Sequence, residues 1–388
     1  MDIYDKSLQE HGVWHGKIEM RSKVKVNTKD SLSVAYTPGV AKPCLEIEKN
    51  PELAYKYTQK HNLVAVVSDG SAVLGLGNIG GIASLPVMEG KAVLFKEFGN
   101  VDAVPIILAT QNADEIVNTI INIAPGFGGI NLEDISAPRC FEIEDRLKKA
   151  LDIPVFHDDQ HGTAIVVLAG VINSLKAVNK KIEDIVVVIN GAGAAGCSVA
   201  KLLLRSGVKD IILCDSKGIV NLSNASNQFK HDMAEITNKK NISGLLKDAL
   251  KGADVFVGVS VANVVTEEMV KSMKSNAIIF ALANPNPEIS PEKAFNAGAK
   301  IVATGRSDLP NQINNVLAFP GVFRGALDCG AKKITEEMKI AAAHAIAGLV
   351  SSEDLMNGII VPDPFDKRVA EIVGKAVAKK AIEEKIVR

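Results

Sequence analysis

The stretch IVVVINGAGAAGCSVAKLLL, residues 185–204, decides the fold. A β-branched run precedes three glycines, and an Ala- and Leu-rich segment follows them. In a G-x-G-x-x-G pattern the first glycine permits a tight turn, the second lets backbone amides approach a pyrophosphate, and the third lets a helix pack on a strand. Gly191, Gly193 and Gly196 therefore predict a strand–turn–helix unit that binds a dinucleotide at the helix N-terminus.

The second strand of this unit predicts how the adenosine ribose is bound. Residues 210–214 form another apolar run, and Asp215 follows it about 22 positions after Gly193. A carboxylate at that place accepts both hydrogen bonds from the ribose diol of NAD. Lys217, two residues later, can instead meet the 2′-phosphate of NADP. The sequence therefore favours NAD slightly and leaves NADP open.

The rest of the second half predicts a doubly wound parallel sheet of the Rossmann type. Further short apolar runs at residues 255–259, 277–281 and 300–303 are separated by helical or mixed segments. This spacing is typical of an open parallel sheet with right-handed crossovers. After Thr335, an Ala-, Lys- and Glu-rich sequence predicts terminal helices that pack back on the body.

The first half predicts a less regular α/β arrangement. Extended runs at residues 63–67, 104–108 and 153–156 alternate with helical patterns at 113–123 and 140–151. A chain of 388 residues exceeds the usual size of a single core. We therefore predict a substrate and metal domain over residues 1–160 and a dinucleotide-binding domain with C-terminal helices over residues 161–388.

Composition narrows the class of partner and the compartment. Lys and Arg number 44 against 45 Asp and Glu, so no strong field attracts nucleic acid or an anionic membrane. The five cysteines are widely spaced, with no C-x-x-C pair, which argues against a disulfide framework and favours a reducing cytoplasm. No apolar stretch approaches the roughly 20 residues that a bilayer requires. We expect a cytoplasmic protein with small-molecule partners.

Two acidic pairs predict a metal site. Glu133-Asp134 lies in INLEDIS and Asp158-Asp159 in PVFHDDQHGTA, each after an extended apolar segment. Adjacent carboxylates repel each other unless a cation or a lysine lies among them, and hard oxygen ligands suit Mg²⁺ or Mn²⁺. For either pair alone, a simple helix N-cap stays an alternative. Two histidines flank the second pair, but no third nitrogen or sulfur ligand accompanies them, which disfavours zinc.

A lysine and a tyrosine are candidates for acid–base chemistry. Lys91 and Lys96 lie among apolar residues in LPVMEGKAVLFK, and a desolvated lysine can have a pKa low enough to act as a base. Tyr36 precedes Pro38-Gly39, a turn that can present it to a cleft. On the residues alone, each lysine can instead be a solvated surface charge, and Tyr36 can instead be a core residue.

Together these segments resemble the malic enzyme family. The similarity extends over residues 36–327 and is greatest to the short bacterial form, which lacks an added acyltransferase domain. Eight blocks occur in the family's order, namely SVAYTPGVA, SDGSAVLGLGNIG, LPVMEGKAVLFK, INLEDISAPRCFEIE, FHDDQHGTA, the glycine motif, ALANPNPE and PNQINNVLAFPGVFRGAL.

The resemblance implies oxidative decarboxylation of L-malate to pyruvate and CO₂, with NAD or NADP and a divalent metal. It also implies a homodimer or larger assembly, in which the segment with Tyr36 can complete a neighbour's site. The implied roles are metal binding by Glu133, Asp134 and Asp159, general base for Lys91, general acid for Tyr36, charge coupling to Lys91 for Asp158, and contact with malate or the nicotinamide for Asn284 and Asn315.

Two positions depart from the family pattern. Larger members carry an arginine before the LGLG segment and an aspartate after it, where this chain has Ala72 and Asn78. The C4 carboxylate of malate must then be bound otherwise, by backbone amides, by Lys96 or by another subunit.

Three other functions compete with this interpretation. An amino-acid dehydrogenase also places a substrate domain before a Rossmann domain, but it leaves the four acidic residues unexplained. A non-catalytic nucleotide-binding protein would need neither the candidate metal ligands nor the acid–base candidates Lys91 and Tyr36. A metal-dependent oxaloacetate decarboxylase would differ in failing to reduce the cofactor with malate.

Overall fold

The computed structural model describes residues 2–73, 75–225 and 228–388, so Leu74, in the SDGSAVLGLGNIG stretch, lies outside the described residues. The strands are β1 (Leu63–Ser68), β2 (Asp102–Ile107), β3 (Gly129–Leu132), β4 (Val155–His157), β5 (Val186–Asn190), β6 (Asp210–Asp215), β7 (Gly218–Ile219), β8 (Val255–Gly258), β9 (Ala277–Ala281) and β10 (Ala299–Thr304). The helices are α1 (Ile3–Trp14), α2 (Lys29–Ala35), α3 (Ala41–Lys49), α4 (Ala54–Tyr57), α5 (Gly81–Gly99), α6 (Ala113–Ile123), α7 (Arg139–Ala150), α8 (Asp158–Ala177), α9 (Ala194–Arg205), α10 (Gln228–Ile236), α11 (Leu246–Leu250), α12 (Glu267–Lys271), α13 (Pro291–Asn296), α14 (Phe319–Asp328), α15 (Glu336–Ala347), α16 (Ser352–Met356) and α17 (Arg368–Glu383).

The first sheet has four parallel strands in the order β2-β1-β3-β4. Every residue of β1 is buried, as expected for a strand covered by helices on both faces. The strand order reverses at β1, because β2 lies on one side of it and β3 and β4 lie on the other. Ligands of such sheets bind beyond the carboxyl ends of the strands at the reversal. Asp69, Glu133 and Asp158 directly follow the carboxyl ends of β1, β3 and β4.

The second sheet has the order β10-β9-β8-β5-β6-β7. All its strand pairs are parallel except β6 with β7, which pair antiparallel through Cys214 and Ile219. The order reverses at β5, the strand that leads into the glycine motif. The predicted Rossmann-type sheet is therefore confirmed, and the short hairpin strand β7 is an addition that the sequence did not predict.

Helix α8 connects the two sheets. It begins directly after β4, and one apolar core joins Val64 of β1, Val166 of α8 and Val187 of β5, all fully buried. Burying a valine of this kind contributes about 1.5–3 kcal/mol, so this shared core resists separation of the two halves. The predicted boundary at residue 160 falls in the first turn of α8, and the division into residues 1–160 and 161–388 stays a prediction.

The C-terminal helices pack back on the body, as predicted. α14 contacts both α17 and α5. The rings of Phe319 and Phe323 in α14 lie 4.7 and 5.3 Å from the ring of Phe95 in α5. α14 therefore supports α5, the helix that carries Lys91. Within the described residues, no helix combines the length and the apolar character that crossing a bilayer demands.

Candidate active site

Three carboxylates meet at the edge of the first sheet. Glu133 and Asp134 follow β3, and Asp159 lies in the first turn of α8, directly after β4. Because β3 and β4 pair with Leu132 opposite His157, the segments after the two strands lie side by side. One ligand oxygen from each carboxylate lies within 4.8 Å of the others. The structure thus brings together the predicted metal ligands.

Hydrogen bonds orient these carboxylates towards one another. The backbone N–H of Asp134 donates to Oδ2 of Asp159 over 2.8 Å, and Asn131 Nδ2 donates to Oε2 of Glu133 over 2.8 Å. Asp134 adopts a left-handed backbone with φ of 54°, a conformation that aspartate tolerates better than most residues. Its Oδ2 is buried without a hydrogen-bond partner among the described residues. A buried, unpartnered carboxylate oxygen is what a cation site leaves when the cation is removed.

The charge balance also fits a divalent cation. Burial raises the pKa of Asp134 to about 9, and the negative charge of Asp159 adds to the shift. Burial likewise raises the pKa of Glu133 to about 8, although Lys91 opposes it. Burial would also raise the pKa of Asp159, but His157 and Lys91 outweigh it and the pKa is lowered. A divalent cation would relieve the repulsion among these groups, and oxygen donors of this kind suit Mg²⁺ or Mn²⁺.

Lys91 lies between two of the acidic residues. Its Nζ is 2.6 Å from Asp158 Oδ2 and 2.8 Å from Glu133 Oε1, and it lies 4.2 Å from the centre of the Phe319 ring. Burial alone would lower the pKa of Lys91. The charges of Asp158 and Glu133 raise it by more than burial lowers it, so the net shift of the pKa is upward. The expectation that burial gives Lys91 a low pKa is therefore wrong for these residues alone, because the two negative charges outweigh desolvation.

Lys96 lies away from this cluster. Its Nζ donates to Asp102 Oδ1 over 2.9 Å, and Asp102 begins β2. The acidic cluster is at the carboxyl ends of the parallel strands, which is the opposite edge of the sheet. The prediction that Lys96 binds the C4 carboxylate of malate is therefore wrong for the site of the same chain.

Asp158 is held by residues from the second half of the chain. Asn315 Nδ2 donates to Asp158 Oδ2 over 3.0 Å, and Thr163 Oγ1 donates to Asn315 Oδ1 over 3.2 Å. A Cβ at Gly162 would lie 2.0 Å from Asp158 Oδ1, so only glycine fits there. The FHDDQHGTA block therefore places Asp158 and Asn315 in direct contact, beside Lys91.

The glycine motif has the geometry of a dinucleotide site. Gly191 has φ of +124°, and a Cβ there would lie 2.6 Å from the carbonyl oxygen of Val259. A Cβ at Gly196 would lie 1.8 Å from the carbonyl oxygen of Gly191, so this glycine permits α9 to pack on β5. A Cβ at Gly193 would meet nothing within 4 Å, which leaves room for a pyrophosphate near the start of α9.

The candidate ribose ligand has a partner that sequence reasoning missed. Asp215, the last residue of β6, forms an ion pair with Lys230 of α10 and accepts a hydrogen bond from the backbone N–H of Lys217 over 2.8 Å. Burial would raise the pKa of Asp215, but Lys230 and the Lys217 backbone outweigh it and the pKa is lowered. The Lys230 side chain therefore places a second positive charge, besides that of Lys217, near the predicted ribose site. No sequence motif indicated Lys230, because only the tertiary fold brings α10 beside Asp215.

Asn284 lies where the two halves face each other. It precedes a cis peptide bond to Pro285, and its carbonyl oxygen would lie 3.9 Å from a Cβ at Gly75 of the LGLG segment. Its side chain lies against Gly305, after β10. Asn284 therefore connects the LGLG segment with the edge of the second sheet.

Tyr36 is not brought to this cluster. It follows α2, its residue surface is 65% exposed, and no hydrogen bond of its phenol occurs among the described residues. Many large apolar side chains that precede it in the sequence are exposed as well, including Ile3, Tyr4, Leu8, Val13, Trp14, Met20, Val24 and Val34. The first segment of the chain therefore presents an apolar surface without a partner in this single chain.

Two family models match this chain. The model described as "Malic enzyme, N-terminal domain" matches residues 15–115 and 109–148, and the model described as "Malic enzyme, NAD binding domain" matches residues 160–382. The chain belongs to the malic enzyme family. The resemblance drawn from the eight sequence blocks is thereby confirmed, and the amino-acid dehydrogenase alternative is set aside.

Named relatives from this family are similar over nearly the whole chain. A "Bifunctional malic/malolactic enzyme" from Bacillus subtilis is 58% identical, with 100% of this chain and 95% of the relative covered. An "NAD-dependent malic enzyme" from Geobacillus stearothermophilus is 56% identical, with 96% and 78% covered. A crystal structure of malic enzyme from Pyrococcus horikoshii is 48% identical, with a TM-score of 0.95, and 100% of this chain and 92% of that one are covered. The chain spans about half the length of several relatives named NADP-dependent malic enzymes.

Two residues beside the predicted site were not identified from the sequence. Lys230 lies beside Asp215 but belongs to no recognised motif, and Glu144, the last residue of the INLEDISAPRCFEIE block, was not singled out as a site residue. One signal for Glu144 existed, since it shares the buried face of α7 with Cys140, Ile143 and Leu147. A glutamate at such a position needs a buried partner.

Proposed function

We propose that this chain oxidises and decarboxylates L-malate to pyruvate and CO₂ with NAD or NADP and a divalent metal. The observation that carries this proposal is the position of Lys91, paired with Asp158 and Glu133 and adjacent to the Glu133, Asp134 and Asp159 cluster. A lysine at a cation site can accept the proton of a hydroxyl whose oxygen the cation holds. Membership of the malic enzyme family supports the same reaction.

In this proposal Lys91, as the neutral amine, takes the proton from the C2 hydroxyl of malate and becomes the ammonium. Asp158 holds the Lys91 ammonium at 2.6 Å, and Asn315 holds Asp158 in turn, so the base keeps a fixed orientation. A cation bound through Glu133 would share that carboxylate with Lys91. The Lys91 ammonium would then lose part of the negative charge that retains its proton.

Glu133, Asp134 and Asp159 would hold Mg²⁺ or Mn²⁺. The bound cation supplies Lewis acidity, which stabilises negative charge on the C2 oxygen during oxidation and decarboxylation. The three carboxylates come together beyond the ends of β3 and β4, so a cation held there would lie at the carboxyl ends of both strands. Asn284, near the LGLG segment, is proposed to contact malate or the nicotinamide.

The dinucleotide would bind along the second sheet. Gly193 leaves space for the pyrophosphate, and Asp215 with Lys230 lies at the ribose position. The oxidised nicotinamide accepts the hydride from C2 when the dinucleotide is bound. Lys230 can pair with a 2′-phosphate, whereas Asp215 can accept hydrogen bonds from a ribose diol, so this pair decides between NADP and NAD.

Tyr36 is proposed to donate a proton, in the site of a second copy, to C3 of the enolate that loss of CO₂ leaves, which gives pyruvate. Within one chain its side chain is exposed, and the exposed apolar side chains of residues 3–34 offer a surface for that second copy. Burying such side chains in a symmetric contact would be favourable and would bring Tyr36 to the partner. The expected assembly is a homodimer or a larger homo-oligomer with shared sites.

Product analysis tests this function. Purified protein with L-malate, Mn²⁺ and the dinucleotide should form pyruvate and reduced dinucleotide in equal amounts. Decarboxylation of oxaloacetate without any malate oxidation would favour the decarboxylase alternative.

A second product is worth measuring because of the Bacillus subtilis relative. Its name, "Bifunctional malic/malolactic enzyme", assigns it two activities. In this chain a malolactic reaction would require that pyruvate take back the hydride and a proton before the reduced dinucleotide leaves, which gives lactate and CO₂ with no net oxidation. Lactate formed with only catalytic amounts of dinucleotide would demonstrate it, and its absence would limit the chain to pyruvate formation.

A further inference from the structure

A buried glutamate outside the carboxylate cluster binds the segment that contains Asp158 and Asp159. Glu144 of α7 is 5% exposed. Its Oε1 accepts a hydrogen bond over 3.0 Å from the backbone N–H of His157, the residue directly before Asp158 and Asp159. This hydrogen bond fixes the backbone at the point where β4 ends and α8 begins.

Glu144 holds the same segment at a second point. Both of its carboxylate oxygens lie 2.9 Å from Nε2 of His161, which follows Asp159 by two residues. Lys339 Nζ lies 2.9 Å from Nδ1 of the same ring. An ammonium can only donate, so Nδ1 accepts and Nε2 carries the hydrogen that is donated to Glu144. The ring is thereby fixed in one tautomer between two charged groups.

Two further ion pairs complete this network. Lys148 Nζ lies 2.8 Å from Glu144 Oε1, and Lys339 Nζ lies 2.6 Å from Glu336 Oε1. The network therefore joins α7, α8 and α15. Buried polar networks in which every member has a partner define one rigid arrangement, and removal of one member leaves the others unsatisfied.

Apolar packing also joins α7 to β4, because Ile143 and Leu147 share a buried core with Val155, so the network adds a polar connection to the residues that follow β4. A cavity of about 540 Å³ lies beside the network, lined by residues of α7, α8, α9, α10 and α15, among them Glu144, His161 and Lys339. α7 is thus separated from α9 by open space at this point. The polar network crosses from α7 to the start of α8 along one wall of that cavity.

The position of His157 also bears on a metal ligand. Its Nε2 lies 3.2 Å from Asp159 Oδ2, and its Nδ1 accepts a hydrogen bond from Gln160 Nε2 over 2.9 Å. Groups that orient a ligating carboxylate typically change metal affinity when they are removed. A shift of the His157 backbone would move this ring and both acidic residues that follow it.

We propose that Glu144 is a positioning residue for the metal site, which fixes residues 157–161 so that Asp158 meets Lys91 and Asp159 meets Glu133 and Asp134. This inference rests on the metal centre of the proposed function. Glu144 is not one of the three carboxylates proposed to bind the cation.

The test measures Mn²⁺ binding directly, by isothermal calorimetry on metal-stripped protein without malate. Glu144→Gln should weaken Mn²⁺ affinity about tenfold, the lower end of the range for residues that orient ligands. Glu144→Leu should weaken it further because the His157 N–H then loses its acceptor. The matched control is Glu142→Gln on the exposed face of the same helix, where Glu142 pairs with Arg146 at the surface, and it should bind Mn²⁺ like the parent. Asp159→Ala serves as the positive control.

The outcomes separate a positioning role from a structural one. A structural role alone would lower the thermal midpoint of Glu144→Gln but leave its Mn²⁺ dissociation constant, measured on folded protein, equal to that of the parent, and this result would overturn the proposal. If Glu144→Leu does not fold, Glu144→Gln decides. Failure of the parent to bind Mn²⁺ overturns it as well. A parent that binds Mn²⁺ in a Glu144-dependent way but oxidises no malate would contradict the proposed function and leave the role of Glu144 standing.

Discussion

The Lys91 ammonium lies 2.6 Å from the Asp158 carboxylate, with their side chains 10% and 0% exposed. Lys91 comes from α5 in the middle of the first half, and Asp158 begins α8 at the junction with the second. A buried pair of this kind leaves an uncompensated charge when one partner is removed. Substitution of either partner is therefore expected to lower the free energy of unfolding.

Lys91→Ala should abolish malate oxidation, because it removes the group proposed to take the C2 proton. A reduction in kcat of at least about 10²-fold is expected from loss of a general base. Dinucleotide affinity, measured by fluorescence titration, should stay near the parent value, since the glycine motif lies on the other sheet. Lys96→Ala is the control on the same helix and should retain activity, and undiminished turnover in Lys91→Ala would remove it from the role of base.

Tyr36 and Lys91 should complement each other between chains. Tyr36→Phe and Lys91→Ala are each expected to be nearly inactive. If Tyr36 completes a partner's site, mixing and re-association of the two variants gives heterodimers with one intact site, and about a quarter of parental activity should return. Activity that stays at the level of the separate variants after subunit exchange has been verified would place Tyr36 within its own chain's site or outside catalysis.

Lys230→Gln should shift the preference between dinucleotides. It removes a cation that can bind a 2′-phosphate and frees Asp215 for a ribose diol. The ratio of kcat/KM for NADP to that for NAD should fall about tenfold, the equivalent of one charge-assisted hydrogen bond. Lys217→Gln provides the comparison, because the sequence alone pointed to Lys217. A shift with Lys217→Gln and none with Lys230→Gln would reverse the assignment.

The sequence predicted the parts of the site that lie at strand ends. A parallel sheet brings the carboxyl ends of its strands to one edge, so the pairs Glu133-Asp134 and Asp158-Asp159 could be expected together. The choice of Asp159 over Asp158 as a metal ligand came from the resemblance to the malic enzyme family. The three glycines were likewise predictable, because each follows from a local backbone requirement. These features depend on local pattern and on one general rule of sheet geometry.

Other features depend on contacts that no local pattern records. Lys230 reaches Asp215 only because α10 returns to the end of β6, and Lys339 reaches His161 from 178 positions along the chain. The raised pKa of Lys91 could not be predicted either, since burial and the two carboxylates act in opposite directions and the outcome depends on distances.

Lys339 should make stability depend on pH above neutrality. Burial lowers the pKa of Lys339 to about 8, and the nearby Lys148 adds to the shift. In the unfolded chain a lysine has a pKa of about 10.4, so between these values the unfolded state binds more protons and folding becomes more favourable as pH rises. The penalty is fully present below pH 8 and disappears by about pH 10, up to about 3 kcal/mol.

Lys339→Met removes this titrating group. Urea unfolding of parent and variant across that pH range should give a free-energy difference that moves in favour of the parent as pH rises. A difference that is constant with pH would show that Lys339 titrates normally in the folded protein.

The most direct test of the central claim is the absorbance of reduced nicotinamide, measured with purified protein, L-malate and Mn²⁺, in parallel with NAD and NADP and again after addition of a chelator. The proposed function predicts a malate-dependent rise with at least one dinucleotide, equal formation of pyruvate, and loss of both signals when the chelator removes the metal. Absence of any rise, from folded protein that binds dinucleotide and Mn²⁺, would contradict it.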